Sequence, residues 1–131
     1  MNTPPRATGS AWHRLCQRFG WAWRGVCVLF RTQANSRIHA CAAVAVVIAG
    51  FVFHISAGEW CAVVGAIGLV FSAEAVNTAI EAVVDLASPE VHPLAERAKD
   101  VAAGAVLIAA IAAVMIGLLV FGPHVLALLG H

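Results

Sequence analysis

The chain has 131 residues, of which 61% are hydrophobic and 11% are charged, and its mean hydropathy is +0.86. Soluble domains of this size are nearer half apolar and a quarter charged, so the composition predicts an integral membrane protein with little mass outside the bilayer. It excludes a separate soluble nucleotide-binding domain, and the sequence contains neither a Walker A loop nor a Rossmann fingerprint.

The predicted elements form one domain over residues 1–131, which begins with a flexible tail at residues 1–9. Residues 10–37 are predicted to form an amphipathic surface helix, because apolar residues recur every three or four positions between arginines. A helix with Trp and Phe beside arginines suits the plane of the lipid headgroups. Packing of this helix on the protein's own spans is an equally good interpretation.

Three apolar runs are predicted to cross the membrane, at residues 38–55, 60–86 and 101–121. A short amphipathic helix at residues 94–100 leads into the third span, which the Gly122-Pro123 pair is predicted to end. The expected fold class is therefore all-α, an integral membrane protein with three transmembrane helices preceded by a surface helix. Because three short helices enclose little interior, we also expect the protein to self-associate.

The basic residues predict the orientation of these spans. All eight lie either before the first span or in the link before the third. Since Lys and Arg near membrane ends mark the cytoplasmic side, the N-terminus is expected in the cytoplasm and the C-terminus outside.

Four polar residues of the second span, Glu74, Asn77, Glu81 and Asp85, recur at helical spacing. At about 100° per residue they share an arc of roughly 80° on one helix face. An ionisable side chain at membrane depth costs on the order of 2.5–3.5 kcal/mol, and such residues usually have a function. We therefore expect this face to carry the protein's chemistry.

Carboxylate and amide oxygens are the ligands that Mg²⁺ prefers. Arg14, Arg97 and Lys99 could hold phosphate oxygens, and Glu74, deeper in the membrane, suits a general base. Together they fit phosphoryl transfer to a lipid alcohol, and no nucleic-acid partner is expected.

The rival functions are an intramembrane proton or ion pathway and a small scaffold subunit. A pathway needs polar groups through the full thickness of the membrane, whereas the polar residues of the second span stop midway. A scaffold predicts no dependence on nucleotide at all. Four histidines lack metal-ligand spacing and are expected to be interfacial or incidental; they are His39, His54, His124 and His131.

Three stretches of the chain resemble the prokaryotic diacylglycerol kinase family, which includes undecaprenol kinases. They are Glu-x-x-Asn-x-x-x-Glu-x-x-x-Asp from Glu74, Ser-Pro-Glu-Val-His-Pro-Leu-Ala from Ser88, and Ala-Lys-Asp ending at Asp100. The similarity extends from about Arg14 to the third span. It implies an ATP- and Mg²⁺-dependent kinase of a membrane lipid alcohol, undecaprenol or diacylglycerol. It also implies a homotrimer in the bacterial cytoplasmic membrane, with sites built between subunits.

The resemblance also implies roles for particular residues. Glu74 would be the general base and Glu81 a metal ligand. The nucleotide-binding residues that it implies are Arg14, Asn77, Glu81, Asp85, Glu90, Val91, His92, Lys99 and Asp100.

One position departs from the family pattern. A second metal-binding glutamate is expected four residues before Arg37, where this chain has Gln33. An amide oxygen can coordinate magnesium but adds no charge, so we expect Gln33 to be a weaker metal ligand. The Arg-Ile-His stretch that ends at His39 is more similar to the undecaprenol kinase branch.

Overall fold

The computed structural model describes residues 11–130, and these form α-helices and short turns without a strand. The helices are α1 (Ala11–Thr32), α2 (Ala34–Val52), α3 (Ala57–Ala87) and α4 (Pro93–Leu129). α2, α3 and α4 are long and apolar enough to cross a membrane. The predicted fold class is confirmed: the chain is an all-α integral membrane protein with three spans after a surface helix. The predicted tail, residues 1–9, lies outside the described residues.

The boundary between surface helix and first span differs from the prediction, which placed residues 34–37 in the surface helix. α1 ends at Thr32, and α2 begins at Ala34. Gln33 between them has extended backbone angles, with φ −103° and ψ 115°. Because an extended residue interrupts the helical hydrogen-bond ladder, the chain can turn here from the membrane surface into the bilayer. Gln33 therefore lies at the corner between α1 and α2.

The third span also differs from the prediction, because α4 is one helix of 37 residues that contains Pro123. It includes the segment predicted as a separate helix at residues 94–100, and it continues past Gly122. A proline forfeits one backbone hydrogen bond, which transmembrane helices tolerate. At about 1.5 Å per residue α4 is roughly 55 Å long, so it extends beyond a hydrocarbon core of about 30 Å.

The turn between the end of α2 and the start of α3 is stabilised by close packing of the two helices. α2 ends at Val52 rather than at the predicted residue 55. A Cβ on Gly50 would lie 2.7 Å from the ring of Trp60, so only glycine lets the two helices meet here. The ring of Trp60 also packs on Phe51, with centroids 5.0 Å apart. Ser56 starts α3 with a reciprocal capping box to Glu59.

α1 packs on the spans through its last turns. Leu29 is buried there, and the rings of Phe30 and Phe71 lie 5.4 Å apart. α3 makes its most extensive interface with α4. These contacts place the Gln33 corner against the C-terminal half of α3, where the polar residues lie.

Candidate functional site

Of the predicted polar face of α3, Glu74 and Asn77 point into the protein, Glu81 is half-buried and Asp85 is exposed. The buried residues of α3 follow one another at intervals of three or four, as one helix face requires; they are Val63, Ala66, Val70, Glu74 and Asn77. Glu74 is only 2% exposed. The carboxylate therefore faces the neighbouring helices and not the lipid.

His39 of α2 is the neighbour of the Glu74 carboxylate. Its Nε2 lies 3.3 Å from Oε1 of Glu74, which is an ion-pair distance if the ring is protonated. This contact is not a hydrogen bond, and the buried Oε1 has no hydrogen-bond partner in the part of the chain that the structure describes. Leaving a buried carboxylate oxygen without a donor is unfavourable by roughly 1–3 kcal/mol or more. Such an atom is best explained by a ligand that supplies the missing partner.

Glu81 lies two turns further along α3 and accepts hydrogen bonds from two amides. Asn77 Nδ2 donates to its Oε1 over 2.9 Å, and Gln33 Nε2 donates to its Oε2 over 3.1 Å. The corner between α1 and α2 thus brings Gln33 against Glu81, two residues far apart in the chain. The carbonyl oxygen of Asn77, Oδ1, is buried and has no hydrogen-bond partner among residues 11–130.

The oxygen atoms in this cluster are of the kind that could hold a magnesium ion. Glu81 offers a carboxylate, Asn77 offers its unpartnered carbonyl oxygen, and Gln33 offers an amide oxygen; all are hard ligands. Within residues 11–130, no group of three or more His, Cys, Asp or Glu could hold a metal. A cation at this point would depend on one carboxylate, amides, and oxygens from water or a phosphate.

These residues share one open cleft of about 720 Å³, which we call the carboxylate cleft. Its polar wall comes from the start of α2 and from α3, and its apolar wall comes from α4. The lining residues are Gln33, Asn35, His39, Glu74, Asn77, Glu81, Ala103, Val106, Leu107 and Ala110. The volume is typical of small-molecule sites, and a few polar groups converge in it.

The α3–α4 link forms a second opening of about 630 Å³, the loop cleft. Lys99 forms an ion pair with Asp85 at its edge. Nδ1 of His92 accepts the backbone N–H of Leu94 and so caps α4, which leaves Nε2 for a ligand. The lining residues of the loop cleft are Val84, Asp85, Ser88, Pro89, Glu90, Val91, His92, Ala95, Glu96 and Lys99.

The structure therefore divides the predicted site residues into two groups. The carboxylate cleft holds the predicted base and metal ligands, and the loop cleft holds most of the predicted nucleotide residues. Arg14 on α1 and Asp100 on α4 line neither cleft. Asp100 does lie one turn before Ala103, on the α4 face that borders the carboxylate cleft. The nucleotide roles of Arg14 and Asp100 remain predictions.

Sequence reasoning missed two residues of α2. His39 was expected to be interfacial or incidental, and its position beside Glu74 corrects that expectation. Ser36 is fully buried, and none of the described residues forms a hydrogen bond with its hydroxyl. No local pattern marks either residue, because their importance comes from the packing of α2 against α3. His131 lies outside the described residues.

Comparison with known proteins gives consistent matches. Residues 20–121 match the family described as prokaryotic diacylglycerol kinase. The undecaprenol kinase of Bacillus subtilis is 47% identical over 111 residues, which cover 85% of this chain and 90% of that protein. The diacylglycerol kinase of Synechocystis sp. is 44% identical over 124 residues, 92% of this chain and 71% of that protein. The diacylglycerol kinase of Escherichia coli K12 is 32% identical over 111 residues, 85% of this chain and 91% of that protein.

Proposed function

Because the chain belongs to the prokaryotic diacylglycerol kinase family and is a lipid kinase of the bacterial inner membrane, we propose that it transfers the γ-phosphoryl group of ATP to undecaprenol. Diacylglycerol is the second candidate acceptor. The undecaprenol kinase of Bacillus subtilis is 47% identical to this chain, against 44% and 32% for the diacylglycerol kinases of Synechocystis sp. and Escherichia coli K12. The Arg-Ile-His stretch that ends at His39 favours undecaprenol.

The observation that carries the proposal is the buried carboxylate of Glu74. Its Oε1 lacks a hydrogen-bond partner within residues 11–130, and the side chain lines the carboxylate cleft. An acceptor hydroxyl at this oxygen would donate the missing hydrogen bond. A carboxylate within hydrogen-bond reach of the proton that it removes meets the geometric requirement for a general base.

In the proposed reaction, Glu74 takes the proton of the lipid hydroxyl as the hydroxyl oxygen attacks the γ-phosphorus. A bond forms between that oxygen and phosphorus, the bond from phosphorus to the β–γ bridging oxygen breaks, and ADP leaves. Such transfer needs positioning, charge neutralisation and a base. His39 orients the Glu74 carboxylate, and Lys99 and the loop cleft bind the polyphosphate.

Magnesium is the proposed cofactor, and Glu81, Asn77 and Gln33 would hold it. When bound, Mg²⁺ neutralises phosphate charge during transfer. The amide donors on Glu81 keep its carboxylate fixed at the mouth of the carboxylate cleft before any cation arrives. This preorganisation is what a metal site requires of its ligands.

We also propose a homotrimer with its N-terminus in the cytoplasm and its C-terminus outside. The orientation rests on the basic residues, which lie before α2 and at the start of α4. Association of subunits is supported by the separation of the two clefts, since no residue lines both. Association would let the loop cleft of one subunit meet the carboxylate cleft of its neighbour.

The proton-pathway alternative fits the buried face of α3 less well. Beyond Glu74, towards the start of α3, the buried residues of that face are Val70, Ala66 and Val63. A relay would need polar groups along this stretch. The polar residues end at Glu74, as in a pocket that opens from one side.

Labelled ATP tests the proposal directly. Purified protein in mixed micelles is incubated with labelled ATP, magnesium and either undecaprenol or dioleoylglycerol, and the lipid products are separated. We expect labelled undecaprenyl monophosphate, less label on dioleoylglycerol, and none when EDTA is present. If neither lipid is labelled and vesicles that contain the protein conduct protons, the kinase proposal is wrong and the proton pathway replaces it.

A further inference from the structure

A histidine and an acid meet where α3 begins and α4 ends, at the end of the helices opposite the two clefts. His124 Nε2 lies 3.2 Å from Oε1 of Glu59. The two residues are 65 positions apart in the chain, and each side chain is 31% exposed. This pair, which we call the distal clasp, joins the last turns of α4 to the first turn of α3.

The carboxylate of Glu59 is held in place by the start of its own helix. Its Oε2 accepts the backbone N–H of Ser56 over 2.7 Å, as one half of the capping box that begins α3. The other oxygen, Oε1, is the one that contacts His124. Because the capping box already restrains this side chain, the contact with His124 requires little further loss of side-chain entropy.

The ring of His124 is held by the turn between α2 and α3. It packs on the ring of Phe53 with centroids 5.8 Å apart, and Phe53 also packs on Phe121 of α4 at 6.1 Å. Pro123, directly before the histidine, has no backbone N–H to donate to the preceding helical turn. The side-chain contacts of His124 therefore hold a part of α4 where the backbone ladder lacks one hydrogen bond.

The distal clasp contains the only fixed charge at this end of the spans. Residues 38–73 and 101–131 together contain one Asp, Glu, Lys or Arg, which is Glu59. The further titratable side chains near this end of α2 and α3 are His54 and Cys61. From α3 the group that contacts His124 is Glu59, and from the α2–α3 turn it is the uncharged ring of Phe53. The protonation of His124 thus decides whether Glu59 has a counter-ion.

We propose that the distal clasp makes the α3–α4 interface respond to the pH of the medium on the side of the membrane opposite the clefts. Histidine is the side chain whose charge changes between about pH 5 and 8. A protonated ring adds an ion pair to the hydrogen bond with Glu59, whereas a neutral ring leaves the hydrogen bond alone. The stability that the ion pair contributes is therefore fully present at low pH and is lost as the pH rises.

A histidine suits this position better than a lysine or an arginine. A permanent positive charge next to a span marks the cytoplasmic side of the membrane, so it would oppose the proposed orientation. His124 provides Glu59 with a cation only when the medium is acidic. The naming of this side as the outside rests on that proposed orientation, but the clasp itself does not rest on the kinase proposal.

The interface that the distal clasp joins is also the one that carries the site. α3 and α4 form facing walls of the carboxylate cleft, and their mutual interface is the most extensive in the molecule as described. A contact that holds the two helices together at one end stabilises the same packing that positions the cleft at the other. Stability, and the lifetime of activity with it, is therefore the property that should follow pH.

Thermal unfolding in detergent at about pH 5.5 and about pH 8 tests the distal clasp. Glu59→Gln keeps the capping box, which also accepts glutamine, and removes the charge. We expect the melting temperature to fall between the two pH values by about 3 °C more in wild type than in Glu59→Gln or His124→Gln, as an ion pair of about 1 kcal/mol or less predicts. His124→Lys, charged at both values, should lose this additional fall and keep the stability that wild type has at low pH.

The control variant is His54→Asn, at the other histidine of this end. His54 has a φ of 51°, which asparagine tolerates, and its Nδ1 lies 3.1 Å from the backbone oxygen of Val52 rather than near an acid. His54→Asn should therefore keep the pH dependence of wild type. Loss of the pH dependence in this control would assign it to His54 and refute the role of His124.

Reconstituted vesicles test on which side the pH acts. ATP added outside reaches only molecules whose clefts face outwards, and the distal clasps of these molecules face the lumen. At fixed external pH and a denaturing temperature, a lumen at about pH 5.5 should lengthen the half-life of kinase activity roughly 1.5-fold relative to about pH 8. This factor corresponds to 3 °C, since unfolding rates rise about three- to sixfold per 10 °C. His124→Lys should show no difference.

Two further results would overturn the inference. If wild type, His124→Gln and Glu59→Gln have the same pH dependence of the melting temperature, a neutral hydrogen bond accounts for the contact and the proposed response to pH is wrong. If the half-life follows the external pH instead of the luminal pH, the clasp does not face the side opposite the clefts. Absence of any kinase activity would refute the proposed function, whereas the melting temperatures in detergent would still support or refute the clasp.

Discussion

Nε2 of His39 on α2 lies 3.3 Å from Oε1 of Glu74 on α3, and that oxygen has no hydrogen-bond partner within the described residues. The contact joins the first and second spans at the depth of the proposed base. It brings a histidine from another helix to a buried carboxylate. We propose that His39 positions the carboxylate of Glu74.

Replacing His39 should slow phosphate transfer through the orientation of Glu74. We expect His39→Leu to lower kcat on the order of 10²-fold, the effect of a misplaced reacting group, with KM for ATP unchanged. His39→Gln should restore much of kcat, because its amide can place a donor near Glu74. Steady-state kinetics of both variants measure the split. If the Leu and Gln variants lose kcat equally and both have a lowered melting temperature, the role of His39 is structural.

Gln33→Glu should tighten magnesium binding. Gln33 Nε2 lies 3.1 Å from Oε2 of Glu81, so the variant would bring two carboxylates together. Like charges at this distance repel until a cation joins them. We expect half-maximal activity at a lower magnesium concentration and a melting temperature that rises with magnesium more steeply than in wild type. A magnesium dependence identical to wild type would show that residue 33 does not reach the ion.

Lys99→Met should weaken ATP binding while leaving the fold intact. Lys99 pairs with Asp85, but both side chains are substantially exposed, so their ion pair contributes about 0–1 kcal/mol at most to stability. We expect KM for ATP to rise and the melting temperature to change little, with Lys99→Arg intermediate. Titration of ATP in the kinase assay measures this. An unchanged KM in the Met variant would remove the loop cleft from the nucleotide site.

Gly50→Ala should destabilise the protein without touching the site. Its Cβ would lie 2.7 Å from Trp60 and 3.1 Å from Ile55, and overpacking of this kind costs typically about 1–3 kcal/mol. Gly68→Ala, in open space on α3, should be neutral or stabilising, since alanine favours helix by roughly 0.5–1 kcal/mol. Thermal unfolding in detergent compares the two. A Gly50 variant as stable as the Gly68 variant would show that α2 and α3 do not meet closely there.

Much of this arrangement could be predicted from sequence because its signals are local. The interval of three and four residues from Glu74 to Glu81 predicts one face of one helix, and the high cost of an acid in lipid predicts that the face turns inward. The structure shows that orientation for Glu74, which is 2% exposed. The apolar runs likewise predicted three spans.

The features that sequence did not reveal depend on packing between helices. His39 has no distinguishing neighbours in the chain, and only the approach of α2 to α3 places it beside Glu74. Gln33 lies within an amphipathic pattern that continues past it, so the break in the helix was missed. Pro123 carries a strong local stop signal, but the backbone continues as helix because a membrane span tolerates one lost hydrogen bond.

The central claim is that Glu74 acts as the general base in the transfer of phosphate from ATP to a lipid hydroxyl. Glu74→Gln keeps the size of the side chain and removes its basicity. Phosphorylation of undecaprenol should fall by about 10²–10⁴-fold, the contribution of a positioned base, while binding of a fluorescent ATP analogue stays within error of wild type. Undiminished phosphorylation by this variant would contradict the account, and loss of nucleotide binding would make Glu74 structural.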